Sequence, residues 1–260
     1  MAKNRDNCVI LMVAPPEQDK IPETLKTAFG PERAGHLSGD LLMQAYKTLK
    51  NFPNATLLLS YEKTLHHPDL TWLDAEDPGF LEFKSKPLDE RIHDVFQLAF
   101  FTGAKKTLLI DHLSPEIKED WLAQAFEALN DKTVALGANE DGTFYLLGLT
   151  QQNLKILEVP GFTSGKSAEI LEERIKKSKL AIFNSPDTYS INSEDALRKW
   201  LENRETAPHL SSRGADAPAG KTSRSPAPQQ EPEHKKHAKR HARNHEESPA
   251  TPPQENTPLL

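Results

Sequence analysis

Four stretches of this chain carry residue types at spacings that could do chemistry. The first is Gly161-Phe162-Thr163-Ser164-Gly165-Lys166-Ser167, which looks like a phosphate-cradling loop. Such a loop needs four residues between its glycines. Here there are three, and Pro160 stands where the first glycine would be. One residue fewer prevents the amides from wrapping a phosphate, so the stretch reads as a turn with Ser164 capping the next helix. The second is Leu108-Leu109-Ile110-Asp111, which mimics the acidic strand end that holds magnesium in nucleotide hydrolases but precedes the glycine loop it should follow. The third is His66, His67 and Asp69, three metal-ligand types without the further defined spacing a site requires; a solvated loop accounts for them. The fourth, His234–His245, reads HKKHAKRHARNH and packs five Lys/Arg and four His into twelve residues. It offers salt-sensitive contact with RNA, anionic lipid or an acidic protein, but has no aromatic on which a base could stack.

The elements that must position these residues follow from hydrophobic period. Continuous apolar runs at Cys8–Ala14, Ala55–Tyr61 and Lys106–Asp111 read as strands covered on both faces, with a short one at Phe80–Phe83. Helical spacing runs from Pro31 to Leu49, Leu88 to Gly103, Pro115 to Leu129, Ser167 to Lys177 and Ser193 to Leu201, with Pro31 suited to a first turn. Strands at Thr133–Gly137 and Phe144–Leu149 are joined only by the turn Asn139-Glu140-Asp141-Gly142; this predicts one antiparallel or irregular pair. A last strand covers Leu180–Phe183. Strands alternating with such helices define an α/β fold, a doubly wound and mostly parallel sheet with helices on both faces. Ligands bind such sheets beyond the carboxyl ends of the strands. That directs attention to residues 15–24, 111–115, 139–143 and 160–166.

Composition divides the chain. Of its 260 residues, all 18 aromatics lie before Asn203, whereas 9 of the 20 prolines lie after it. Charge divides too: 23 basic against 31 acidic residues before the cut, 9 against 7 after it, within an overall net of −6. A segment so poor in apolar surface cannot offset its ordering entropy. The expected organisation is a folded acidic domain over residues 1–203 and a disordered, Pro-rich tail over 204–260. Collagen, coiled coil and disulfide scaffold are excluded. Cys8 is the one cysteine and cannot bridge internally, which fits a reducing compartment. No apolar run reaches the ~20 residues that span a bilayer. The Cys8–Ala14 run is short for a secretory signal and meets Pro15-Pro16, so the expected location is the cytoplasm.

A resemblance adds to this reading. Gly137–Leu149, GANEDGTFYLLGL, is similar to the segment G-x-x-x-D-G-G-Y-Y-L-I-G-L of a bacterial family of uncharacterised transferases. Members of that family have the glycosyltransferase-A-like, nucleotide-diphospho-sugar transferase fold and are often named as companions of radical-SAM proteins. Four further stretches agree in order and spacing. Phe29-Gly30-Pro31-Glu32 resembles L-G-P-E, Leu88-Asp89-Glu90-Arg91 resembles L-G-E-R, Leu109–Pro115 resembles L-I-G-S-D-S-P, and Tyr189-Ser190-Ile191-Asn192 resembles Y-D-V-D. The resemblance spans roughly residues 8–203. It implies a nucleotide-sugar-dependent glycosyltransferase or a nucleotidyltransferase, holding Mg²⁺ or Mn²⁺ on strand-end carboxylates that bridge the phosphates.

This chain departs from the family at the positions that do that work. In the opening loop, Ala14 stands for the first lysine, Asp19 for glycine, Pro22 for the second lysine and Thr24 for arginine; only Lys20 leaves a cation there. Leu113 stands where the strand-end aspartate falls, and Ser190 and Asn192 replace the paired aspartates. Asp111 takes the glycine position two residues earlier, about 6–7 Å away along an extended segment. What the resemblance leaves is Glu140 and Asp141 as candidate catalytic groups, Lys20, Arg91 and Gly142 as candidate nucleotide contacts, and Asp111 as a relocated metal ligand. Turn and cap roles compete for Asp141-Gly142 and for Glu90-Arg91. Two functions stay open: a degenerate transferase-fold protein that acts by binding, and an active enzyme whose metal sits on Asp111, Glu140 and Asp141. The candidate partners are a nucleotide or nucleotide-sugar in the cleft and a protein or other anionic partner on the basic tail.

Overall fold

A computed structural model of the chain describes residues 6–13, 21–63, 70–74, 80–84 and 86–206. Met1–His209 form one unit; a second, Leu210–Leu260, lies outside the described residues, and with it the basic run of the tail. His66, His67, Asp69 and the loop with Ala14, Asp19 and Lys20 also lie outside them.

The strands are β1 (Asn7–Val13), β2 (Thr56–Glu62), β3 (Leu81–Phe83), β4 (Lys106–Ile110), β5 (Thr133–Ala138), β6 (Phe144–Thr150) and β7 (Ala181–Asn184). The helices are α1 (Glu23–Phe29), α2 (Pro31–Asn51), α3 (Leu88–Phe101), α4 (Glu119–Ala128), α5 (Ser167–Lys177) and α6 (Glu194–Thr206). One seven-stranded sheet has the order β3-β2-β1-β4-β6-β5-β7. Only β6 runs against its neighbours, antiparallel to both β4 and β5. The α/β fold and the single antiparallel element expected from the sequence are both present.

Alternation of side chains along the strands fixes the two faces. Val9, Leu11 and Val13 of β1 join α2 and α4 in one core, while Cys8 and Ile10 join α3 and α5 in the other. A third, smaller cluster ties α1 and α2 to Tyr189, Ile191 and α6. Strand β6 is buried along its whole length, as a strand covered on both faces must be. Gly148 admits its neighbours only because it lacks a Cβ, which would stand 2.6 Å from Leu108 Cδ2.

Two elements differ from expectation. Helix α1 was not expected; its short run ETLKTAF buries only Leu25, too little to register as a period. Helix α4 begins at Glu119 rather than Pro115. Residues 115–118 instead form a turn and irregular backbone, where Pro115 is buried and its carbonyl accepts from Gln44 of α2 at 2.7 Å.

Candidate functional site

The carboxyl ends of β1 and β4, the start of α3 and the segment after β7 enclose a cleft of about 410 Å³. The segment after β7 reaches this place by extending the sheet. Asn139 bridges Thr188 in parallel, Thr188 N–H donates to Ala138 O at 3.2 Å, and Glu140 N–H donates to Thr188 O at 2.8 Å. Farther on, Ile191 N–H donates to Leu113 O at 2.9 Å. The fold therefore brings Asp111, Leu113, Asp141, Ser190 and Asn192 to one cleft wall, although up to 81 residues separate them in sequence.

Asp141 is the hub. Its Oδ1 accepts from the Thr143 amide at 2.9 Å and the Thr143 hydroxyl at 2.6 Å. Its Oδ2 accepts from Ser190 Oγ and Asn192 Nδ2, each at 2.7 Å. Burial pushes its pKa upward, but the donors from Thr143, Ser190 and Asn192 together outweigh this and hold it below the ordinary aspartate value. Hydrogen bonds to the ionised form have that effect. Ser190 and Asn192, which stand where the resembled family has aspartates, thus act as donors that complete the shell of Asp141.

Asp111 has the opposite environment. Its side chain is 32% exposed, and its one close donor is Leu113 N–H, 3.2 Å from Oδ1. Burial raises its pKa; His112 and the Leu113 amide lower it, the Asp141 charge raises it again, and the net direction is upward. His112 is buried beside it, with Nδ1 3.7 Å from Asp111 Oδ1 and Nε2 3.5 Å from Ser38 Oγ. Burial lowers the His112 pKa more than Asp111 raises it, so its ring is neutral at pH 7.

Other candidates lie apart or are otherwise engaged. Glu140 is exposed, pairs with Lys199 at 3.1 Å and lines an adjoining depression with Asp141, Ser190, Asn192, Ser193 and Asp195. It is not among the residues that line the cleft; Asp141 is common to both linings, whereas Asp111 and Glu140 do not share one. Gly142 holds a positive φ of 85°, and its amide donates to Asn139 O at 2.9 Å; the N–H closes the turn rather than facing a nucleotide. Arg91 does line the cleft, but its guanidinium lies 3.3 Å from Glu62. Its Nε is buried without a hydrogen-bond partner. Glu90 is exposed at the start of α3.

The glycine loop before α5 makes hydrogen bonds within itself, Ser167 N–H donating to Gly165 O at 3.0 Å. Ser164 Oγ donates to Gly161 O at 3.1 Å rather than capping α5, whose N-cap Lys166 makes no side-chain cap bond. Ser167 is the working hydroxyl there: buried, it accepts from Phe144 N–H at 3.1 Å. Asp89, which the sequence did not single out, is buried and pins the same loop by accepting from Gly161 N–H. Asp141-Gly142-Thr143 did carry a local signal, since aspartate commonly accepts from the residue two positions on. The Ser190 and Asn192 donors carried none.

Mg²⁺ takes six ligands and Ca²⁺-sized ions more, mostly oxygens. Among the described residues no group of three His, Cys, Asp or Glu could hold a metal ion. Leu113 offers no ligand atom, and both oxygens of Asp141 already accept hydrogen bonds. The described residues do not fit the Mg²⁺ or Mn²⁺ that the resemblance implies, and among them the relocated ligand Asp111 has no partner set.

Fold and site together define a protein of the nucleotide-diphospho-sugar transferase fold. The chain is similar to a "putative nucleotide-diphospho-sugar transferase" from Desulfovibrio desulfuricans G20, with a TM-score of 0.69 and 19% identity over 78% of this chain and 89% of that one. It is also similar to a nucleotidyl transferase from Methanothermobacter, TM-score 0.52 at 10% identity over 76% and 96% of the two chains. A third is the 4-diphosphocytidyl-2C-methyl-D-erythritol synthase of Anaerococcus prevotii, TM-score 0.50 at 11% identity over 78% and 96%. At such identities these likenesses establish the fold. No curated protein matches the chain. More particularly, residues 43–159 match the family described as "Uncharacterized protein conserved in bacteria (DUF2064)". The chain is a divergent member of that fold class.

Proposed function

We propose that this protein is a binding protein on a transferase fold, one that has lost metal-dependent transfer. The observation that carries this is the donor shell of Asp141: Ser190 and Asn192 each donate to it at 2.7 Å. In a working site of the resembled family, those positions would supply anionic ligands, and a dication would compensate the clustered charge. Here neutral donors compensate the Asp141 carboxylate, with no dication required for it. Transfer from a nucleotide donor depends on stabilising charge on the leaving phosphate. Pro22 and Thr24 at the cleft mouth are poor replacements for cations in that role.

The competing reading, an active enzyme with a relocated metal, needs Glu140 to turn from Lys199 into the cleft. Calorimetric titration with nucleoside diphosphates, triphosphates and nucleotide-sugars, with and without Mn²⁺, separates the two. The expected result is no metal-dependent binding. Micromolar affinity that disappears with a chelator overturns the proposal and restores the enzyme. No helix among the described residues is long and apolar enough to cross a membrane; the buried thiol of Cys8 supports a cytoplasmic location. The tail's basic run supplies a second, salt-sensitive contact for an anionic partner.

A further inference from the structure

The walls of the cleft are mostly apolar, built by Met12, Val13, Leu88, Ile92, Leu113 and Phe144. Its volume of about 410 Å³ falls in the range of small-molecule sites, about 300–1,000 Å³. Its charge is what a nucleotide site should not have. Among the described residues, Glu62, Asp111 and Asp141 are its carboxylates, and Arg91 is its one Lys or Arg. That guanidinium is already held by Glu62 at 3.3 Å.

We infer that the cleft binds a small organic cation, an amine with an apolar body, whose ammonium sits against Asp111. This deepens the reading of the protein as a binder and rests on it. Asp111 Oδ1 accepts one amide bond, and no donor is found for Oδ2 among the described residues. Part of the side chain is open to the cleft. An ammonium supplies three N–H donors, one for Asp111 Oδ2 and the others for neutral oxygens of the lining such as the Thr143 and Ser190 hydroxyls. The two carboxylates repel one another, so a monocation between them removes a cost the empty cleft carries. A divalent metal would need several more oxygens, whereas an ammonium is satisfied by one carboxylate and neutral acceptors. The apolar walls take the body of the ligand and exclude water from the ion pair, which strengthens it.

A matched set of probes tests this on the full chain at physiological salt: 4-phenylbutylamine, 4-phenylbutan-1-ol and 4-phenylbutanoate, read by calorimetry and by thermal shift. The amine should bind at least about tenfold more tightly than the alcohol, and the alcohol more tightly than the acid. In Asp111→Asn, which keeps an acceptor for the Leu113 amide, the amine should fall to the affinity of the alcohol while the alcohol stays unchanged. Equal binding of amine and alcohol in the parent, preference for the acid, or no binding of the amine at millimolar concentration overturns the inference, whether or not the variant folds. Retention of the amine preference in a folded Asp111→Asn overturns it too. The same titration with CTP, UTP and UDP-glucose plus Mn²⁺ keeps the two claims apart. Silent nucleotides with a silent amine sink only the ligand class, whereas tight metal-dependent nucleotide binding sinks the functional reading beneath it.

Discussion

Removing the two donors that replace carboxylates should expose how much Asp141 depends on them. In Ser190→Ala/Asn192→Ala, Asp141 keeps both bonds from Thr143 and loses both at Oδ2. A hydrogen bond to a charged group contributes about 1.5–3 kcal/mol. Asp141 is exposed, so solvent screening reduces this to about 1 kcal/mol each. The double variant should therefore lose about 2 kcal/mol at pH 7, or roughly 4–8 °C in Tm for a domain of this size. The pH dependence has a definite sign. A carboxylate whose folded pKa is depressed contributes stability above its ordinary value and loses it as pH falls through the folded one. The gap between variant and parent should then narrow on acidification, down to the lowest pH at which the parent stays folded. Urea unfolding across that range measures the gap, and NMR titration of the Asp141 carboxylate should show its pKa rising toward the ordinary value. In an Asp141→Asn background the same pair of substitutions should cost less than half as much. A gap independent of pH, or an unmoved Asp141 titration, would refute the reasoning.

Four other outcomes follow from the same geometry. Asp111→Asn should stabilise the protein above neutral pH, by on the order of 1 kcal/mol. The raised pKa of Asp111 means that the folded state pays for ionising it as pH rises through the ordinary value and on to the folded one, so the gain should vanish below about pH 3; a loss at pH 8 in thermal unfolding counts against this. Gly137→Ala should cost about 1–3 kcal/mol by overpacking, because its Cβ would stand 2.5 Å from the Tyr145 ring, and denaturant titration at unchanged m-value measures it. Leu113→Asp combined with Ser190→Asp and Asn192→Asp should raise Mn²⁺ affinity at least about tenfold over the parent, since charge count sets binding at oxygen sites; calorimetry with Mn²⁺ alone decides. Removing residues 207–260 should leave Tm unchanged within about 1 °C, and a larger drop in a thermal scan would mean the tail packs on the domain.

Much of the fold was legible because its signals are local. Apolar runs of four to seven residues and three- to four-residue periods identified every strand and five of the six helices, and α5 matches the expected bounds, Ser167–Lys177. Helix α1 was missed because a helix of seven residues with one buried side chain has no period to read. At the site, the turn at Asp141-Gly142 was legible from its dipeptide. The opposite fates of three neighbouring acids were not. Glu140 follows the chain outward to Lys199, Asp141 collects four donors, and Asp111 faces the cleft with one.

By itself, then, the sequence determined the layered α/β architecture and the strand ends at which chemistry could gather. Tertiary structure alone decided what the remaining groups do. The reason is physical: the charge state and partners of a carboxylate depend on donors, burial and neighbouring charge within a few ångströms. Ser190 and Asn192 come within 2.7 Å of Asp141 only because the segment after β7 continues along the edge of β5. Sequence separations of 49 and 51 residues carry no local signal of that pairing, and the sheet supplies it.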